Sequence, residues 1–408
     1  MIKLLFNGGF TLHSAGDDGV IEAFLSLLRK EAPDTEFEAR VLARHPYEEF
    51  DKAFGVTTFR NLEYETKSES VGRWLNGLNP DDSPEILLSL REQIEWADVV
   101  LLGAGNFLNE NSFSLFRGLA PRLAVTAFIA KSVGKPIFLH GMSGSKLTQP
   151  LAILLVDWLL NNVDALAFRE EVSPEILRKC GVRVPETSLM LGDIIFSGSA
   201  ITRETARKLL VKEQIVFPSD SPVLAVSLRD MRGKPELRER YEDTVVKVLD
   251  DWMSGGGCAL MIPQCTYDRE TPESDDRKVA EKIVQRLSHP GQAFEIKGHH
   301  WPWEIEGLYG LCDAALTTRL HAGAYAAKQD VPTVAFAYEP KVRGLWKKLG
   351  FERALVELED SPELIVAKLA EVREIWPSDE IRKRVDSIQS GNREYARTAL
   401  KLAGVHHG

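Results

Sequence analysis

The sequence predicts an α/β protein of two Rossmann-like domains facing a cleft. Three observations carry that expectation. Short β-rich runs alternate with longer amphipathic ones, as in parallel sheets wrapped by helices. The runs fall into two sets, separated by a turn-rich link, PSDSP at 218–222. And 408 residues, 44% of them hydrophobic, exceed what one core usually holds.

In order, the first set reads as strands at Ile2–Phe6, Phe37–Leu42, Asp98–Leu102, Pro136–His140, Ala165–Phe168 and Ser188–Leu191. Helical patterns lie between them at Gly19–Lys30, Pro84–Trp96, Leu123–Val133, Leu151–Asn161 and Pro174–Cys180, followed by a charged helical segment from Thr202 to Gln214. Most strands end in Gly or a small polar residue, as strand-to-helix turns require. The stretch Phe50 to Ser83 reads as an irregular excursion. The second set places strands at Val223–Leu228, Ala259–Pro263, Ala293–Ile296, Ala314–Thr317, Thr333–Ala337 and Ala354–Glu357. Its helices are Leu237–Met253, Asp275–Leu287, Trp303–Leu311, Ala322–Lys328, Lys341–Leu349 and Pro362–Ile375. From Ser378 on, Ile381, Val385, Ile388, Tyr395 and Ala399 form an amphipathic stripe that must be buried, and packing back on the first domain is the expectation. The domains are therefore drawn at 1–217 and 218–377, with a C-terminal helix at 378–408.

Composition narrows the function. Fifty Lys and Arg against 60 Asp and Glu give a net charge of −10, and no basic block stands out. That disfavours a nucleic-acid surface or a polybasic membrane anchor. No stretch reaches the roughly 18 apolar residues of a membrane span, which leaves only peripheral contact open. Cys180, Cys258, Cys265 and Cys312 lack CxxC spacing and read as reduced thiols in a cytoplasm.

In open parallel sheets ligands collect at strand carboxyl ends, where backbone N–H groups and helix N-termini point outward. Arg319 and His321 have that address, after the strand Ala314–Thr317 and before the small residues AGAYAA. A positive helix end disfavours both cations, so an anion should accompany them. The alternative is a buried salt bridge for Arg319 and a neutral capping role for His321. The next strand ends in AYEPKVRG, which brings Tyr338, Lys341 and Arg343 alongside. NGGFTLHSAGDDG (7–19) is a glycine-rich turn ending in Asp17 and Asp18, without a nucleotide fingerprint. LLGAGNFLNE (101–110) reads as a backbone cradle after a strand, contributing Gly103, Gly105 and Asn106, and HGMSGS (140–145) is similar. FREEVSPE (168–175) sets Arg169 at a strand end with Ser173 as a helix cap. His299, His300, Trp301 and Trp303 lack the partners of a metal site and read as packing or a cleft wall, while His406 and His407 lie in a frayed tail.

The ordered motifs GDDGVIEAF, ADVVLLGAGNFLNE, FREEVSPEILRKCGV, GDIIF, VSLR, LMIPQ and, above all, DAALTTRLHAGAYAAKQDVPTVAFAYEPKVRG resemble those of the polysaccharide pyruvyl transferase family over roughly residues 1 to 350. The resemblance implies a glycosyltransferase-B-like fold and a ketal pyruvyltransferase, with phosphoenolpyruvate as donor and a sugar or lipid-linked glycan as acceptor. It places the donor on the second domain and the acceptor on the first. By motif, Arg319, Leu320 and His321 match the family's RLH, with the histidine as general acid. Lys341 matches the lysine of its YxxK turn, and Arg169 the arginine of an RDxxS-like turn. Ala104 interrupts the usual glycine run, and Glu170 stands where an Asp is usual.

These residue types suit that donor: its carboxylate and phosphate call for fixed cations, and arginine binds either in bidentate fashion. Protonation of the methylene carbon by a histidine prepares the carbon for attack by a sugar hydroxyl. Asp17 or Asp18 is the candidate base for that hydroxyl, and the scheme calls for no metal and no cofactor. Two other readings fit the same fold: a nucleotide-sugar glycosyltransferase with Glu339 on the ribose, and a catalytically silent sugar- or anion-binding protein.

Overall fold

The structure, a computed structural model, describes residues 1–10, 12–62, 85–113, 118–231, 235–267 and 275–405. The expected frayed tail at His406 and His407, and the 63–83 part of the expected excursion, lie outside them. By chain contacts the protein divides into two units. The first comprises Met1–Leu12, Val20–Ser197 and Ile388–Gly408, and the second His13–Gly19 and Gly198–Ser387.

In the first unit, β1 (Ile2–Asn7), β2 (Phe37–Ala43), β3 (Thr57–Arg60), β4 (Val99–Leu108), β5 (Ile137–Gly144), β6 (Ala165–Phe168) and β7 (Leu189–Met190) form one sheet. Their order is β3-β2-β1-β4-β5-β6-β7, and the neighbouring pairs run parallel. Central strands buried on both faces need continuous apolar runs, and VVLL in β4 and IFL in β5 supply them. Leu5, Val100, Leu102, Leu139 and Leu166 anchor a core shared with the helices Leu119–Ser132 and Pro150–Leu160.

Three local expectations change here. Thr57–Arg60, inside the expected excursion, pairs with Arg40–Ala43 as an edge strand. Before it, the helix Glu48–Phe54 stacks Phe50 on Phe54 with centroids 3.9 Å apart. β4 does not stop at Leu102: it runs to Leu108, and Gly105 and Asn106 stay in register with Met142 and Ser143 of a β5 that reaches Gly144. The first helix begins at Ala15, not Gly19, so Asp17 and Asp18 lie in its first turn.

In the second unit, β8 (Val223–Ser227), β9 (Cys258–Met261), β10 (Ala293–Glu295), β11 (Ala314–Thr317), β12 (Thr333–Phe336) and β13 (Leu355–Val356) form a parallel sheet ordered β10-β9-β8-β11-β12-β13. The segment 198–222 groups here because its helix, Arg203–Lys212, packs on the helix Pro302–Tyr309, and Ile201 N donates to Trp303 O at 3.0 Å. The stripe of the last helix, Ser378–Leu402, is buried as its spacing requires: Ile381 and Val385 in the second unit, Ile388, Tyr395 and Ala399 in the first. In the first unit Asn392, fully buried, accepts from Gly192 N at 3.0 Å and donates to Asp193 O at 2.9 Å.

Candidate functional site

Four adjacent strands of the second unit deliver polar groups at their carboxyl ends: β9 to Gln264–Thr266, β8 to Arg229, β11 to Arg319 and His321, and β12 to Tyr338 and Lys341. The helix Leu320–Lys328 starts on Arg319, whose side chain makes no cap hydrogen bond. Instead its guanidinium turns to Asp276, the first residue of the helix Asp276–Val284: Nε donates to Oδ2 at 3.1 Å and Nη2 to Oδ1. Asp276 is 3% exposed, and its Oδ2 also accepts from Gln264 N at 3.1 Å and Cys265 N at 3.0 Å. Burial alone would lower the Arg319 pKa, but the Asp276 carboxylate outweighs it and holds the guanidinium charged well above its usual range.

Lys341 follows the N-cap Glu339 and Pro340, which opens the helix Pro340–Lys348. Its Nζ lies 2.8 Å from Glu339 Oε2 and 5.7 Å from the centre of the Tyr338 ring. The Arg229 guanidinium sits 4.7 Å over the same ring, and its Nη1 is 3.9 Å from Glu339 Oε1. Arg229 and Lys341 thus share the Tyr338 ring.

This corrects the expected charge balance. No external anion is needed to make Arg319 and Lys341 tolerable where they are: Asp276 and Glu339 already face them. The two carboxylates differ, however. Asp276 is locked by two backbone N–H groups, whereas the Glu339 side chain is 32% exposed. The expected cationic address of Arg343 is also spent, on a surface pair with Glu357.

The segment His13–Gly19 belongs to the same unit. Ser14 bridges Cys265, Ala15 N donates to Gln264 O at 2.8 Å, and Thr266 N to His13 O at 2.9 Å. Asp17 and Arg319 both act on the buried Cys265 thiol, which burial pushes up to about 12. Asp18 is fully buried and accepts from Ser14 N at 3.2 Å. Burial first, and the Asp17 charge second, raise its carboxyl well above the usual range, against the Ser14 N–H that lowers it. A carboxyl closed to solvent is poorly placed to take a proton from an acceptor hydroxyl, which favours half-buried Asp17 of the expected pair.

The other expected site residues belong to the first unit. Arg169 is 6% exposed, and its Nε donates to Ser143 Oγ at 2.6 Å and its Nη1 to Asp193 Oδ2 at 2.8 Å. Glu170, raised by burial, receives the hydroxyls of Ser143 and Ser173. Ser173 is not a helix cap: the N-cap is Glu171, and Ser173 Oγ accepts from Gly144 N at 2.7 Å. Gly103 and Gly105, at φ +133° and +150°, are demanded by packing, since a Cβ on Gly103 would fall 2.1 Å from His140 O and one on Gly105 2.5 Å from the Phe107 ring. Asn106 accepts from Ser145 Oγ at 3.3 Å inside β4. These strand residues are not a loop cradle.

Around His299 the expected packing cluster forms within the second unit. His299 lies 4.8 Å from both His13 and Trp301, ring centre to ring centre, and burial pulls its pKa down to about 4. Burial would also lower His300, but Glu304 and Glu213, the latter 2.6 Å away, outweigh it and raise it. Among the described residues no group of His, Cys, Asp and Glu could hold a metal ion, and no helix is long and apolar enough to cross a membrane.

Residues 15–340 match the model of the polysaccharide pyruvyl transferase family. The chain belongs to that family. It is a transferase whose family works in polysaccharide biosynthesis, and it is 22% identical over 370 residues, 86% of each chain, to the amylovoran biosynthesis protein AmsJ of Erwinia amylovora. Among solved structures it is similar to the UDP-GlcNAc 2-epimerase from Neisseria meningitidis, at TM-score 0.55 and 11% identity, covering 99% of this chain and 100% of that one. It is also similar to the E. coli trehalose-6-phosphate structure bound with UDP-2-fluoro glucose, at TM-score 0.54 and 11% identity over 100% of both chains. At such identities the likeness carries the fold alone, a glycosyltransferase-B-like pair of parallel-sheet units.

Arg229, Asp276 and Gly16 were not singled out from the sequence of this transferase. Arg229 had a signal, standing in VSLR just past a strand. Asp276 meets Arg319 across 43 residues, a pairing that no local pattern announces.

Proposed function

We propose that this transferase moves the pyruvyl unit of phosphoenolpyruvate onto two hydroxyls of one sugar in a polysaccharide or its lipid-linked precursor, forming a cyclic ketal and releasing phosphate. One observation carries the reading: Arg229, Arg319 with His321, and Lys341 stand at the carboxyl ends of three adjacent strands, where Asp276 fixes Arg319 and the partly exposed Glu339 is shared by Lys341 and Arg229. Family membership supports the pyruvyl group as cargo. A donor with a carboxylate and a phosphate suits such a row of cations, and the first turn at Leu320 adds backbone N–H groups of the same sign.

In this reading Asp276 fixes the plane of the Arg319 guanidinium through Nε and Nη2 and leaves Nη1 for the donor. His321 gives a proton to the methylene carbon, and the central carbon, bearing positive charge, is attacked by one acceptor hydroxyl. Asp17 takes the proton of that hydroxyl. The second hydroxyl then displaces phosphate from the same carbon and closes the ring, and its proton leaves with the phosphate. All four cysteines carry free thiols, which supports a cytoplasmic setting.

The test is incubation with phosphoenolpyruvate and a panel of glycans, following phosphate release and a product mass gain of one pyruvate less water. His321→Ala should keep donor affinity and lose turnover, and Arg319→Ala should weaken donor affinity itself. Wild-type turnover in His321→Ala removes the acid assignment. Release of a nucleoside diphosphate from a sugar nucleotide, with no phosphate from phosphoenolpyruvate, overturns the reading altogether.

A further inference from the structure

We propose that Gly16 is a positioning residue: the first turn of the helix Ala15–Glu31 is the seat on which the His321 imidazole rests, and a side chain at position 16 unseats it. The proposal deepens the reading of His321 as the proton donor and rests on it.

Gly16 is buried and is the second residue of the helix, where an alanine would serve the backbone at least as well. Its backbone needs no special conformation, since it is not among the positive-φ glycines. What it supplies is space. A Cβ on Gly16 would fall 1.8 Å from His321 Nδ1, 2.7 Å from Cε1 and 2.8 Å from Cγ, and those three atoms are its nearest neighbours. Gly8 and Gly103 differ: a Cβ there would strike backbone, Gly103 O and His140 O, both at 2.1 Å. At Gly16 the three nearest atoms all belong to one imidazole, the far end of a side chain, so the fold can absorb the methyl by moving that ring.

The seat is held from two sides within the second unit. Below it, Ser14 bridges Cys265, and Ala15 N donates to Gln264 O at 2.8 Å. Opposite, Tyr325 OH donates to Ala15 O at 2.7 Å. Tyr325 is four residues after His321 on the helix Leu320–Lys328, so the two side chains share a face. One grips the carbonyl beside Gly16 while the other lies on Gly16 itself. The turn that seats the ring is therefore tied to the helix that carries it. Movement of about 1 Å at a reacting group can lower turnover about 100-fold.

The experiment compares Gly16→Ala with Gly391→Ala, a helical glycine of the other unit whose Cβ would meet nothing within 4 Å. Imidazole proton–nitrogen NMR spectra, with His321 assigned by its loss in His321→Ala, report the ring directly without any turnover. Gly16→Ala should shift the His321 resonances and lower kcat about 10- to 100-fold with the donor KM within about twofold of wild type, because Arg319 and Lys341 are untouched. Gly391→Ala should do neither. Wild-type His321 resonances in Gly16→Ala overturn the seat. If Gly16→Ala fails to fold, Gly16→Ala/His321→Ala decides: with the ring gone the double variant should fold, and its failure shows that His321 was not the obstacle. Should wild type release no phosphate from phosphoenolpyruvate while the Gly16→Ala resonances still move, the seat stands and the functional reading falls.

Discussion

Glu339 is the groups' most informative member, because the reading makes it a competitor of the substrate. Its carboxylate lies 2.8 Å from Lys341 Nζ and 3.9 Å from Arg229 Nη1. A donor oxyanion bound to either cation would sit about 5 Å from that carboxylate, given ordinary ion-pair distances. With an effective dielectric constant of about 50, between the surface-pair value and bulk water, the repulsion is about 1.3 kcal/mol per donor charge. The Glu339 side chain is 32% exposed, so it can turn aside and be screened, and we take about 1 kcal/mol in total. Glu339→Gln should then lower the donor KM about fivefold at low ionic strength. Loss of the Lys341 pair itself costs at most about 1 kcal/mol of stability. The assay is phosphate release against donor concentration at low and high salt, and the gap between variant and wild type should narrow as salt rises. A raised donor KM in Glu339→Gln would refute the reasoning: Glu339 would then be the support that holds Lys341 in place, and the donor would bind elsewhere.

Two other substitutions separate architecture from chemistry. Arg169→Leu leaves Asp193 and Glu170 buried without their guanidinium, and should lose about 3 to 5 kcal/mol in urea unfolding; a variant of wild-type stability with a raised donor KM would show that Arg169 serves the donor instead of the fold. His140 is fully buried against Phe24, Phe138 and Tyr395, and burial pulls its pKa from 6.5 down to about 3. The folded state holds that ring neutral while the unfolded chain takes up a proton, so stability is intact above pH 6.5 and falls by about 1.4 kcal/mol per unit as the pH drops toward 3. His299 adds a parallel loss that ends near its own value of about 4. His140→Phe should therefore gain about 2 kcal/mol on wild type between pH 6.5 and 5, read as diverging denaturation free energies, with the His299 slope retained; parallel curves would show that His140 already has a proton-binding partner.

How far the sequence discloses all this depends on the range of the signal. Strand positions are local, set by runs such as VVLL and AALT, and they survive into β4 and β11. Strand ends are less so: Gly103 and Gly105 punctuate the sequence like a turn, yet β4 continues through them because β5 keeps pairing on the other side. β3 escaped notice because TTFR is four residues long, paired on one edge only, and holds a single apolar residue, Phe59. Arg319 and Lys341 were legible as cations at strand ends, but the carboxylate Asp276 that fixes Arg319 comes from 43 residues away, after β9 rather than β11.

The same distinction explains why Asp17 and Asp18 looked alike and are not. Read as the tail of a glycine loop, both carboxylates would face solvent. In a helix that begins at Ala15, successive side chains point about 100° apart, so one of the two must turn inward, and Asp18 does. What disguised the helix was Gly16, taken as turn punctuation. Its neighbours indicate the opposite cause: the helix runs through Gly16 undisturbed, and the missing side chain answers to an imidazole that arrives from more than three hundred residues later in the chain. A glycine inside a periodic segment is thus ambiguous between backbone freedom and clearance, and only the identity of the nearest atom decides between them. Here that atom is Nδ1 of the residue that the proposed chemistry depends on.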